Sequence, residues 1–375
     1  MIGEIGDRDP PVEKQEGLLD DDREVSLVLV AASKVLGVAP KGLGAEKLPG
    51  HASARTYYRV STGPRPTSSS VVVMVLPENG GRGEEVGSGS TNGELPFVLV
   101  QRYLEELGVR VPAIHLIDID AGLLVLEDLG DTTLEDALIA GGNAAAVRRK
   151  LYGIAIDQLA FMRHQAGLKP RLGQIPFVRA FEYELLRWEL DHFLEWGLEA
   201  DRGAALGPRE AEIVSSAFDD IAQRLANLQR GLTHRDYQSR NLMLVEGGLA
   251  VIDFQDALLG PAAYDLVALL RDSYVVLETE FVDEMLDRYC DARRSLGGAP
   301  LYREELDEQF DLQTVQRKLK DAGRFVFIDR VKKNPSFLPH IPASLAYVAE
   351  ALARMPEYRA MRDVLAEHVP ELGQA

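Results

Sequence analysis

The chain has one cysteine in 375 residues, so it cannot close a disulfide on itself. That fits a reducing cytosol, and Cys290, beside Tyr289 in a helical stretch, reads as a small buried apolar residue. No stretch reaches the roughly 18–20 continuous apolar residues that a membrane-crossing helix needs. The N-terminus also lacks a basic segment followed by an apolar one. It carries Glu4, Asp7, Asp9, Glu13, Glu16 and Asp20 through Asp22 instead, which is not a secretory leader. Lys and Arg are in deficit, 41 against 59 Asp and Glu, for a net charge of −18. Nucleic acid and anionic membranes are held by clustered cations, so neither is expected as a partner. The expectation is a cytoplasmic protein, monomeric, acting on small molecules.

With 46% hydrophobic residues the chain can bury a large core, and its length suggests two lobes. Residues 1–22 read as a flexible acidic tail. A helix is predicted over 24–37, then strands over 56–60 and 71–76, rich in Tyr and Val, around the turn cluster Ser61-Thr62-Gly63-Pro64. Residues 77–94 form a Gly/Ser/Glu-rich excursion, read as a tolerated insertion. A helix over 95–107 and strands over 114–119 and 123–126 follow. Beyond about 132, amphipathic helices dominate (132–140, 144–166, 181–197, 208–229, 262–274, 279–294, 303–328, 341–353, 356–367). A short β block interrupts them at 232–233, 242–245 and 249–254. The expected division is a β-rich lobe over 23–130 and a helical lobe over 131–375.

The chemistry concentrates in that β block. Thr233-His234-Arg235-Asp236 leads to Asn241-Leu242-Met243, and twelve residues past Asn241 stands Asp253, followed by Phe254. A strand, a Gly247-Gly248 turn and a second strand bring Asn241 and Asp253 together, with Asp236 on the loop before them. One carboxylate and one amide oxygen suit Mg2+, a hard ion that keeps several waters. A carboxylate not tied to metal can orient an acceptor hydroxyl and take its proton. The spacing is that of the kinase catalytic loop H-R-D-x4-N with its downstream D-F-x motif.

On these residues the chain resembles the aminoglycoside phosphotransferase and choline kinase-like superfamily, over most of 24–355. Leu48-Pro49-Gly50, Tyr58-Arg59-Val60, Asp253-Phe254-Gln255-Asp256-Ala257, Gly260-Pro261, Tyr264-Asp265-Leu266-Val267, Arg271-Asp272, Val315-Gln316-Arg317 and Leu319-Lys320 look like the bacterial anomeric kinases of cell-wall amino sugars. The resemblance implies an α+β, protein-kinase-like fold of two lobes, with an antiparallel β N-lobe and a mostly helical C-lobe. It implies an ATP- and Mg2+-dependent kinase that phosphorylates the C1 hydroxyl of N-acetylmuramate or N-acetylglucosamine in cell-wall sugar recycling. Asp236 would be the base, Asn241 and Asp253 the metal ligands. Asp265 would brace the catalytic loop by accepting its backbone N–H groups. Ser53 and Arg55, on the segment 50–55, would cover phosphate, and the backbone of Glu127 and Leu129 would meet adenine.

Protein kinases hold the α- and β-phosphates with a Lys on the third strand; Met74 stands there in this chain. Arg55 and Arg59 are the candidate substitute cations. Acceptor-site candidates are Gln238, Arg240, Gln255 and Asp256 in the motif region, with Glu184 and Arg187 on the 181–197 helix. Trp188 and Trp196 on that helix read first as core. Arg317 reads either as a partner for a lactyl carboxylate or as half of a surface salt bridge. Two other readings stand beside the sugar kinase: a kinase of aminoglycosides, choline or related alcohols, and a nucleotide-binding pseudokinase.

Overall fold

A computed structural model describes residues 13–374 except 50–54, 65–67, 78–93 and 142–143, with side chains from residue 22. Ser53 and most of the 77–94 segment therefore lie outside the described residues. The chain divides into two compact units. The described residues of Met1–Arg82 and Pro112–Asp128 form the first, and those of Gly83–Val111 and Leu129–Ala375 the second.

The first unit is a five-stranded antiparallel sheet with one helix. Helix α1 spans Glu13–Leu36, and the strands are β1 (Gly44–Lys47), β2 (Thr56–Ser61), β3 (Ser70–Val75), β4 (Ile114–Asp118) and β5 (Leu123–Glu127), in the order β1-β2-β3-β5-β4. Strand β1 carries no β-branched residue and gave no sequence signal. Helix α1 starts at Glu13 rather than at 24, so part of the expected acidic tail is helical. Acidic residues are favoured at a helix N-terminus, where the backbone dipole is positive. Val28, Ala31 and Ala32 of α1 pack on Tyr58, Val60, Val71, Val73, Leu123 and Val125, the alternate residues of one sheet face. Met74 sits on the opposite side of the pleat, fully buried, paired across the ladder with Tyr57 and Leu124.

The second unit is mostly helical. Its helices are α2 (Pro96–Glu106), α3 (Leu134–Ala140), α4 (Ala145–Leu168), α5 (Tyr183–His192), α6 (Pro208–Ala226), α7 (Ala262–Leu270), α8 (Thr279–Ser295), α9 (Arg303–Lys332), α10 (Ile341–Ala353) and α11 (Arg359–His368). Two small ladders lie among them: β6 (Gly231–Thr233) with β9 (Leu258–Gly260), and the hairpin β7 (Leu242–Val245) to β8 (Gly248–Val251). Helix α2 groups with this unit, and Phe97 on it packs against Phe254 with ring centroids 4.9 Å apart.

The predicted 181–197 helix changes pitch. From Phe193 to Ala200 it widens into π-helical turns, a form frequently found at functional sites. Two glycines allow the packing there. A Cβ on Gly197 would stand 2.5 Å from the Phe193 ring, and one on Gly323 of α9 would stand 2.8 Å from the His192 carbonyl oxygen. Helix α9 thus runs close against the π-helical segment. It is buried nearly all round from Phe310 to Gly323, charged residues included. An all-round buried helix is expected to be apolar, so its charges need another explanation. Cys290 is buried on α8.

Candidate active site

The loop between β6 and β7 and the segment just past β8 each carry a strained residue, and hydrogen bonds fix the loop. Arg235 and Asp253 both have positive φ, +80° and +62°, a region that residues with a Cβ seldom occupy. Such conformations cost on the order of 1–3 kcal/mol each and persist where surrounding bonds impose them. Those bonds are present. The Asp265 carboxylate accepts the N–H of His234 at 2.7 Å and of Arg235 at 2.9 Å. Asp272 accepts both the N–H and the hydroxyl of Ser239, at 3.0 and 2.6 Å. Burial raises the carboxyl pKa of Asp265 and of Asp272, and the donated hydrogen bonds oppose that rise.

His234 ties this loop to the strand that carries Asp253. Its Nε2 bonds the Ile252 carbonyl at 3.0 Å, and its Nδ1 accepts the Asp236 N–H at 3.2 Å. Both bonds are satisfied together by the neutral Nε2–H tautomer, and burial lowers the imidazole pKa accordingly. Asn241 donates its Nδ2 to the Asp236 carbonyl at 2.8 Å, and Ile252 donates its N–H to the Asn241 carbonyl at 3.0 Å. Asp236, Asn241 and Asp253 are therefore gathered within one hydrogen-bonded loop and hairpin. Their carboxylate and amide oxygens are of the kind a hard divalent cation takes.

Asp236 keeps 37% of its side chain exposed, so an acceptor can reach it. One oxygen, Oδ1, is held by Arg317 Nη2 at 3.1 Å, while Nη1 of the same guanidinium bonds the carbonyl of the strained Arg235 at 2.7 Å. The guanidinium also lies 4.7 Å from the Tyr264 ring centre. Burial pushes the Asp236 carboxyl pKa upward, but the positive charges of Arg317, Lys320 and Arg235 outweigh it and hold the group below its ordinary value. Arg317 is fully buried and committed to the catalytic loop, which corrects its reading as a surface salt bridge.

The other sequence candidates fall in different places. Gln255 donates to Asp253 at 2.8 Å and to Asp256 at 3.3 Å, so it bridges two members of the motif. The backbone of Gln238 shapes the turn: its N–H bonds the Asp236 carbonyl and its carbonyl accepts from Asn241. Arg240 is pinned to Glu135 of α3 and lies over the Tyr274 ring, 3.4 Å from its centre. Glu184 is exposed on α5. Arg187 is occupied by Asp219, Asp191 and Ser215, an ion cluster between α5 and α6. The opposite face of α5 meets the catalytic loop, because Glu189 there pairs with Arg235 and accepts from Gln316.

In the first unit Arg59 makes a two-pronged bond to Asp128, at 2.8 and 3.0 Å, and Ser70 donates to the same carboxylate. That couples β2, β3 and the end of β5, so Arg59 acts as a brace within the sheet. Arg55 is partly buried. Glu127 closes the β4–β5 pair by exchanging bonds with Ala113, at 2.9 and 3.1 Å. Leu129 is partly buried just past it in the chain.

Glu189 was not singled out from the sequence, and Asp272 entered only with Arg271 as part of the resemblance, with no role of its own.

Over residues 44–299 the chain matches the model of the phosphotransferase enzyme family. It is 34% identical over 319 residues to the N-acetylmuramate/N-acetylglucosamine kinase of Pseudomonas aeruginosa, covering 84% of this chain and 86% of that one. It is 32% identical over 275 residues to the protein of the same name from Neisseria meningitidis serogroup B, covering 73% of this chain and 79% of that one. Among solved structures it resembles the choline kinase of Cryptosporidium parvum, with a TM-score of 0.59 at 11% identity over 89% of this chain and 97% of that one. That last likeness establishes the α+β, protein-kinase-like fold. No helix among the described residues is long and apolar enough to cross a membrane. The chain belongs to the phosphotransferase enzyme family, and it is a kinase.

Proposed function

We propose that this kinase transfers the γ-phosphoryl group of ATP to the C1 hydroxyl of N-acetylmuramate or N-acetylglucosamine, in recycling of cell-wall sugars. The name shared by the Pseudomonas and Neisseria relatives supports the acceptor class. The observation that carries the reaction type is the Asp236 carboxylate, accessible and clamped through one oxygen by Arg317, beside Asn241 and Asp253.

Asp236 accepts a hydrogen bond from the C1 hydroxyl and orients its oxygen toward the γ-phosphorus. As the C1 oxygen bonds to phosphorus, the bond to the ADP oxygen breaks and the hydroxyl proton passes to Asp236. An anomeric hydroxyl is more acidic than other sugar hydroxyls, so a carboxylate with a low pKa serves mainly by orientation. Asn241 and Asp253 would hold Mg2+, which neutralises charge on the phosphates when bound. Arg59 is spent on Asp128. Among the cations considered for the role of the missing third-strand Lys, Arg55 therefore stays in place as the candidate.

The test is an acceptor panel with ATP and magnesium: N-acetylmuramate, N-acetylglucosamine, kanamycin and choline, with phosphorus NMR of the product. A sugar 1-phosphate is expected. Turnover of kanamycin or choline alone would overturn the acceptor assignment. Nucleotide binding with no turnover of any acceptor would favour a pseudokinase, in line with Met74.

A further inference from the structure

Behind the catalytic loop α9 presents Gln313, Gln316, Arg317 and Lys320, recurring at helical spacing, and all four are buried. Burying a charge costs several kcal/mol unless partners repay it. Gln313 donates to Gln316, Gln316 to Glu189, and Arg317, whose Nε alone is left without a bond, donates to Asp236 and the Arg235 carbonyl.

Lys320 is the exception. It is 8% exposed, yet its ammonium makes one hydrogen bond, at 3.5 Å, to Oδ1 of Asp321. That carboxylate is already held by Lys318 at 2.7 Å. Two of the three N–H groups of Lys320 thus lack a protein acceptor among the described residues. Its charge acts on Asp236, next in strength after that of Arg317. The hydroxyl of Tyr264, electrostatically coupled to Lys320, is buried with no hydrogen-bond partner.

The direction from which Lys320 comes is informative. Asn241 and Asp253 belong to the hairpin β7–β8 and its continuation. Lys320 comes from α9, whose next turns lead to Phe327, packed edge-on against Trp196 of the π-helical segment at 5.0 Å and 5.6 Å from His192. An aromatic cluster about two turns further along the same helix suits a sugar better than a polyphosphate. Resting on the sugar-kinase reading above, we propose that Lys320 binds a carboxylate carried by the acceptor, and so distinguishes N-acetylmuramate, which has a lactyl carboxylate, from N-acetylglucosamine, which has none. Arg317, the candidate for this contact from sequence, is consumed by Asp236; the cation one turn further along α9 takes its place.

The experiment uses the full chain at about pH 8, above the ordinary carboxylate pKa, so that Asp236 stays ionised in every variant. In Lys320→Met the KM for N-acetylmuramate is expected to rise roughly 10- to 100-fold, the value of a charge-assisted hydrogen bond. The loss in kcat/KM for N-acetylglucosamine should be smaller by a similar factor, so that the ratio of the two sugars' kcat/KM values shifts against N-acetylmuramate. Lys320→Arg, which keeps the charge, should recover part of the loss. A companion measurement needs no variant: wild-type protein should bind the methyl ester of N-acetylmuramate more weakly than the free acid by a similar factor. Equal loss on both sugars in Lys320→Met would overturn the proposal and assign Lys320 to the phosphoryl group or to the fold. An unchanged KM for N-acetylmuramate, or an ester that binds as well as the acid, would also overturn it. Wild-type protein that phosphorylates neither sugar would instead remove the acceptor reading itself, and this assignment with it.

Discussion

On the proposed function, Asp236 and Arg317 form the pair on which the chemistry turns. A base that accepts a proton from an acidic hydroxyl has to be ionised and aimed, and a buried guanidinium does both. Replacing Asp236 with Asn keeps the shape and removes the proton acceptor. The kcat is expected to fall by about 10²- to 10⁴-fold, with little change in the thermal midpoint because this side chain is partly exposed. Arg317→Met tests the electrostatic half. Arg317 is the leading positive influence that lowers the Asp236 pKa against its burial. Removing it therefore raises that pKa, and the acid limb of kcat/KM moves to higher pH. An acid limb that stays in place in this variant would show that Arg317 has no hold on the base.

The strained loop between β6 and β7 depends on α7 more than on its own sequence. Asp265, 2% exposed, accepts the backbone N–H groups of His234 and Arg235. In Asp265→Ala both are left buried and unpaired, each at a cost of about 1–3 kcal/mol. A drop of the urea midpoint corresponding to about 2–6 kcal/mol is expected, together with loss of turnover. Asp265→Asn, which keeps one acceptor oxygen, should fall between. A midpoint unchanged in the Ala variant would mean that the loop holds its positive φ at Arg235 without α7. The α9 helix acts in a comparable way through Arg317, and the glycine at 323 lets it come close enough to the π-helical segment to do so.

For the molecule as a whole the coupling between ligand and stability is the accessible readout. A ligand that binds only the folded state at a hundred times its Kd adds about 2.7 kcal/mol. Magnesium and ATP together are expected to raise the thermal midpoint, and chelation with EDTA to reverse the magnesium-dependent part. Asp253→Ala should abolish that part, with a modest fall of the ligand-free midpoint because Ala is strained at positive φ and Gln255 loses one acceptor. A magnesium-dependent shift that survives in this variant would exclude Asp253 as a metal ligand. The charge of −18 bears on partners in the same global way. Acidic residues are spread over both units, so the cations that matter are among those drawn inward, such as Arg235, Arg317, Lys318 and Lys320.

The kinase reading could be made from the chain alone because its motif is short-range. Asp236, Asn241 and Asp253 lie within eighteen positions of one another, on a loop and a hairpin whose turn is written in Gly247 and Gly248. The β-branched strands of the first unit were legible for the same local reason. Strand β1 was not, having no such residues, and neither was the start of α1 within an acidic run. The roles of the cations were hidden as well. Arg59 was one of two candidates for phosphate, and its bond to Asp128, 69 residues away in the chain, was not foreseen; Arg317 was read as either an acceptor partner or half of a surface salt bridge, and it meets Asp236, 81 residues away. Helical periodicity says that a residue faces inward but not what it meets there. Which charge neutralises which depends on how α9, α5 and α7 close around the catalytic loop, and that packing is settled by contacts between residues far apart in sequence.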